Sequence, residues 1–400
     1  MKSKETKIEN YLNSKIKDDF RNIVNSSNLF YHHEEQKRRW NLMCVLMDRI
    51  DNAVDYLNKH SEHPQSEEEL IFIIVYACIL KDGVYKFYEN IYGKKPPTIL
   101  NKKWFVCAKV HERPFFSKET CPTDDVFFEY LRSLAFAHPF NTSRNASNKR
   151  SFMQKGEVHM SPWVFYNSIF SSEKVIGLRI YTNSDEEHDI IDLFIPYSNF
   201  KNYVKERYEL MKDFISWGTD VIGNQNKEWK KTKVNRKASP VDIIKEIQAI
   251  LQSRFCEEYS LEDALNILEY DSSNETNKNA LSRIKTRLLN KIDTICDAID
   301  ELDNEKLEDE LSFLWDRPRK LHSHAHYELE KTFDYLDDEK GLCLPGSNEE
   351  WGLIQAKAFY DAYANKYVFI DFEKMQYKEI KLLIRASCIL GYEDEDKTEL

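Results

Sequence analysis

Apolar side chains recur at three- and four-residue steps along most of this chain, the spacing that gathers them on one face of an α-helix. Between Trp40 and Leu57 the stripe is Trp40, Met43, Val45, Leu46, Met47, Ile50, Val54 and Leu57. A second helix is predicted from Glu67-Glu68-Glu69, acids that suit a helix amino terminus, to about Tyr92, where Pro96-Pro97 stops it. Thr123, followed by Asp124 and Asp125, caps a third from Val126 to about Ala137. The period then changes. Val175–Tyr181 and Ile190–Pro196 alternate, with Ile176, Leu178, Ile180 facing one way in the first run and Ile191, Leu193, Ile195 in the second. The Asn183-Ser184-Asp185 cluster between them makes this a β-hairpin.

Helical spacing resumes from Phe200 to Trp217, and again over 241–255, 261–268, 280–311, 327–336, 351–363 and 377–390. Residues 224–240 read as an exposed linker, and 367–371 as a short strand. The expectation is a mainly α protein: a helical bundle over 1–155, a small β-hairpin insert with a connecting helix over 156–236, and a carboxyl-terminal helical region over 237–400.

Composition narrows the class. With 23 Phe, 22 Tyr and 7 Trp in 400 residues the chain has ample surface to bury, which excludes low-complexity disorder. Only 10 Gly and 11 Pro argue against a turn-dense β-sandwich. No apolar run approaches the roughly 20 residues of a membrane helix, and Met1-Lys2-Ser3-Lys4-Glu5 does not open a secretory signal, so a cytoplasmic protein is expected. The 8 Cys lack a Cys-x-x-Cys pair, which points to reduced thiols. A net charge of −11 is the wrong sign for a general polyanion binder, so contact with nucleic acid would have to use local basic patches.

One segment carries chemistry: Phe127-Phe128-Glu129-Tyr130-Leu131-Arg132-Ser133-Leu134-Ala135-Phe136-Ala137-His138-Pro139. On an ideal helix Arg132 and His138 would lie about 120° apart. Pro139 pushes His138 out of the α region, so the imidazole belongs to a frayed terminus from which it can swing toward a cleft. Imidazole is the side chain that exchanges protons near neutral pH, and guanidinium offers a planar fork to phosphate oxygens. RNA supplies its own 2′-hydroxyl nucleophile, so such a pair needs no metal. The plain structural alternative has Arg132 paired with Glu129 and His138 capping the helix.

Two long helices followed by Arg, a few residues, His and Pro resemble the HEPN superfamily (higher eukaryotes and prokaryotes nucleotide-binding), over about residues 35–150. That resemblance implies a helical bundle that dimerises into a metal-independent endoribonuclease of a prokaryotic defence or toxin system. Arg132 would then hold phosphate, and His138 would be the acid/base. Ser133, where members often carry another polar residue, would join them as a catalytic residue, and Asp82 takes the place of an acidic partner some members use. RNA, a second copy and an antitoxin or other defence-system protein are the implied partners, and no cofactor is implied.

Basic residues follow the motif without an acid among them: Arg144, Lys149, Arg150 and Lys155, a loop fit to attract RNA. A second basic run, 227–237, contains Trp229. His322, His324 and His326 alternate and form a rival site for a metal hydrolase, although a solvated surface turn after Pro318 explains them better. A further alternative is a non-catalytic helical scaffold or sensor that binds a protein through the acidic run 297–310.

Overall fold

The computed structural model describes residues 11–110, 113–117, 119–143, 150, 152–167, 174–183, 190–258, 260–336 and 345–398. It is mainly helical with a small antiparallel sheet. The chain forms two compact units, 1–223 and 224–400. Among the described residues no helix is long and apolar enough to cross a membrane.

The first unit contains α1 (Ser14–Asn25), α2 (Leu29–His32), α3 (Glu34–Lys59), α4 (Glu67–Tyr92), α5 (Asp124–Arg132) and α6 (Tyr197–Tyr208). Helix α7 (Met211–Trp229) follows. The predicted stripe of α3 is buried through Met43, Leu46, Met47, Ile50, Val54 and Leu57, whereas Val45 is exposed. Ser66 caps α4 by accepting from the Glu69 amide, and Gly93, in the left-handed region at φ +65°, ends it. The two prolines therefore do not stop this helix. Pro97 instead opens the short 3-10 turn Pro97–Leu100.

The sheet holds β1 (Lys109–Val110), β2 (Arg113–Pro114), β3 (Thr142–Ser143), β4 (Val158–Met160), β5 (Val164–Asn167), β6 (Lys174–Thr182) and β7 (Ile190–Pro196). The order is β2-β1-β7-β6-β4-β3, with β5 also paired to β6. The predicted hairpin forms from Val175↔Pro196 to Tyr181↔Ile190, which sets Ile176 opposite Ile195, Leu178 opposite Leu193 and Ile180 opposite Ile191. Its tip, 184–189, lies outside the described residues. The hairpin shares one core with α3, α4, α5 and α6, so residues 156–223 fold as part of the first unit and not as a separate insert.

The second unit contains α8 (Pro240–Ser253), α9 (Ser260–Glu269), α10 (Glu275–Glu301), α11 (Asn304–Leu311), α12 (Ala325–Tyr335), α13 (Asn348–Ala362) and α14 (Tyr377–Thr398) around its own core. Three expectations need correction here. Residues 224–229 are helical, not linker. The periodic run 280–311 is two helices, because Leu302 adopts a left-handed conformation at φ +64° and Asp303 caps α11. Residues 367–371 form no strand: buried Asn277 accepts from the Phe369 amide and donates to its carbonyl, doing what a neighbouring strand would.

Candidate functional site

Helix α5 is held at its amino end by two buried acids. Thr123 caps it by accepting from the Val126 amide. The Asp124 carboxylate accepts from the backbone amides of Lys103, Trp104 and Phe105 at 2.9–3.1 Å. Asp125 accepts from Tyr85 and Tyr203, both at 2.8 Å, and from Arg207 Nη2 at 3.1 Å. Arg207 has no exposed surface, and its guanidinium lies 3.9 Å from the Tyr203 ring centroid. Phe127, Phe128, Tyr130 and Leu131 are wholly buried. The motif thus stands on a rigid base.

At its carboxyl end the helix widens. Ser133–Ala137 is a π-helical turn closed by the His138 amide donating to the Ser133 carbonyl at 2.7 Å. Such turns occur in short pieces, frequently at functional sites. Arg132 precedes the turn and His138 follows it. His138 leaves helical geometry (φ −144°, ψ 54°), as its proline neighbour requires. Its imidazole is exposed and makes no hydrogen bond among the described residues. His138 is the C-cap of this turn through its backbone amide, and its ring takes no part in the cap.

Arg132 is half-exposed and donates from Nη1 to Glu129 Oε2 at 2.9 Å. Its other N–H groups have no partner among the described residues. Glu129 also receives the Lys81 ammonium, whose side chain is 8% exposed and which lies 3.1 Å from Asp82 Oδ1. Burial opposes charge on Glu129, but Lys81 and then Arg132 outweigh it, and the carboxyl is held below its ordinary range. Lys81 is raised for the converse reason: Glu129 and Asp82 overcome its burial. The Cys78 thiol, buried beside this network, is pushed up to about 12.

Ser133 and Arg150 take inward places. The Ser133 hydroxyl, in a buried side chain, donates to the Glu129 carbonyl at 2.8 Å and accepts from Arg150 Nη2 at 2.9 Å. Arg150, expected on an RNA-facing loop, is 7% exposed, bonds the Ser143 carbonyl at 3.0 Å and lies 5.5 Å from the Tyr130 ring centroid. Burial lowers its proton affinity. Lys155 is exposed, whereas Arg144 and Lys149 lie outside the described residues. Below the motif Tyr130 Oη meets His159 Nδ1 at 2.6 Å, and His159 Nε2 meets Glu157 Oε1 at 2.8 Å.

The sequence reading missed Lys81, a cation at the end of the most apolar stretch of α4, and the Tyr130–His159–Glu157 chain, whose members gave no local signal. Other candidates resolve into structure. His322 Nε2 meets Glu328 Oε2 at 2.7 Å. Among the described residues no three His, Cys, Asp or Glu side chains are grouped to hold a metal ion. In the second basic run, Arg236 pairs with Asp297 and Asp300 of α10, and Lys233 donates to the Asp300 carbonyl.

No protein-family model, curated protein or solved structure matches this chain.

Proposed function

We propose that the chain is a metal-independent endoribonuclease, with Arg132 and His138 as its catalytic residues. The observation that carries this reading is the pair of unspent polar groups flanking the π-helical turn, a half-exposed guanidinium with spare donors and an exposed imidazole without a partner. His138 removes the 2′-hydroxyl proton, and the 2′-oxygen attacks the adjacent phosphorus. The bond from phosphorus to the 5′-oxygen breaks, leaving a 2′,3′-cyclic phosphate. Arg132 donates to the phosphate oxygens where charge builds up. A second copy of the motif, brought in by the dimerisation that the HEPN resemblance implies, supplies the proton for the departing 5′-oxygen. Ser133 and Arg150 hold the turn from within, Glu129 and Lys81 orient Arg132, and Lys155 with Arg144 and Lys149 attracts the RNA. A place in a prokaryotic defence or toxin system is part of the same proposal.

Purified chain incubated with total RNA in EDTA tests it. Cleavage with cyclic phosphate ends is expected, and His138→Ala is expected to slow it by about 100-fold or more, the ordinary share of a general acid or base. Arg132→Ala should do likewise. Variants that cut like the wild type, or cleavage abolished by EDTA, would remove the assignment.

A further inference from the structure

The second unit holds a cavity of about 540 Å³ between α9, α12 and α14, closed on one side by the 3-10 turn Ser312–Trp315. Its size falls in the roughly 300–1,000 Å³ range of small-molecule sites. Lys378, Lys381 and Arg385 reach it from one face of α14, three and four residues apart.

The Arg385 guanidinium is layered between two rings, 3.8 Å from the Trp315 centroid and 4.6 Å from that of Phe333. It is anchored on Asp263 Oδ2 at 3.1 Å. The indole is held by its own Nε1, which donates to Ser260 Oγ at 2.9 Å. Trp315 lines the cavity and, with Arg385 against it, still keeps 45% of its surface exposed. The exposed indole surface can extend the stack by one more planar ring.

Two residues along, Arg317 lines the same cavity, is exposed and makes no hydrogen bond or ion pair among the described residues. It is near enough to Arg385 that its charge adds to burial in lowering that group's proton affinity, against Asp263. Asp263 is taken up by Arg385, which leaves the Arg317 guanidinium without an ion-pair partner among the described residues. Glu330 and Asp334, one turn apart on α12 and both paired with Lys331, and Glu262 on α9 also line the cavity and can accept from hydroxyl or amino groups.

We propose that this cavity binds a nucleoside monophosphate, its base stacked on Trp315 and its phosphate held by Arg317. A lone inorganic anion leaves the indole unused, and a neutral nucleoside leaves Arg317 unpaired. A polynucleotide would drive further phosphates against Glu262, Glu330 and Asp334. The site is independent of the ribonuclease reading, since it is defined by binding alone.

Calorimetric titration of the full chain with AMP, GMP, CMP and UMP, and separately with adenosine and inorganic phosphate, tests it. At least one monophosphate is expected to bind with a Kd below about 1 mM, and adenosine and phosphate about tenfold more weakly or less. Arg317→Ala, at an exposed and unpartnered position, and Trp315→Ala should each weaken binding by about tenfold or more. No binding by any monophosphate, phosphate binding as tightly as nucleotide, or affinity unchanged by Arg317→Ala would overturn the proposal.

Discussion

Replacing Glu129 by Gln removes the carboxylate shared by Lys81 and Arg132 while keeping its shape. The cost falls mainly on Lys81, whose side chain is 8% exposed and keeps only Asp82, itself 57% exposed, as a charged partner. Leaving a buried charge wholly unpaired costs about 3–5 kcal/mol, whereas losing an exposed pair costs about 0–1 kcal/mol. With Asp82 still in place and the Gln carbonyl able to accept one bond, Glu129→Gln should destabilise the first unit by about 2 kcal/mol. The pH dependence has a definite sign. Glu129 is held below its ordinary value, so its contribution is present at neutral pH and lost as pH falls through the lowered value. Lys81 is raised, so its share is full below the ordinary lysine value of about 10.4 and lost as pH rises through the folded one. The difference between wild type and variant should therefore be flat near neutrality and shrink below about pH 4. A chain of two units need not unfold in one step, so the assay is native-state hydrogen exchange of α4 and α5 amides against urea. Lys81→Met and the double variant complete a cycle in which the two losses should not add. A cost below about 0.5 kcal/mol, or one unchanged on acidification, would show that this network does not stabilise the helix end.

Three further outcomes are expected. Asp125→Ala strands the fully buried Arg207, still bonded to Glu206 and the Thr98 carbonyl, and should cost about 3 kcal/mol or more by the same exchange assay. Gly177→Ala places a methyl 2.0 Å from a carbon of the Phe165 ring, so the first unit should lose about 1–3 kcal/mol. Adding Phe165→Leu should recover part of that loss in the same measurement. Thr123→Ala, which removes the α5 cap, should cost about 1 kcal/mol and raise exchange in its first turn.

Helices with a regular apolar stripe were legible to within a few residues, as α4 shows with its acidic first turn and its end at Tyr92. The β6–β7 hairpin was legible from alternation and the turn residues Asn183-Ser184-Asp185 between the runs, while its register is given by the structure. The strands β1–β4, only two or three residues long, carry too few positions to show a period. The site was legible in part. Arg132, His138 and the Glu129 pairing could be read from spacing, because they lie on one stretch of chain. Arg150 could not. In the sequence it is one more cation in a basic loop, and only the fold turns it inward onto Ser133 and Tyr130.

Local periodicity, caps and proline geometry act over a few residues, so the chain alone decides where its helices run, where the hairpin forms and that His138 leaves the helix. Which charges meet is a matter of long-range packing. Lys81 reaches Glu129 across 48 residues, and Asp125 reaches Arg207 across 82. Those pairings exist because burial makes an unpartnered charge costly, and burial is a property of the assembled core, not of any segment within it.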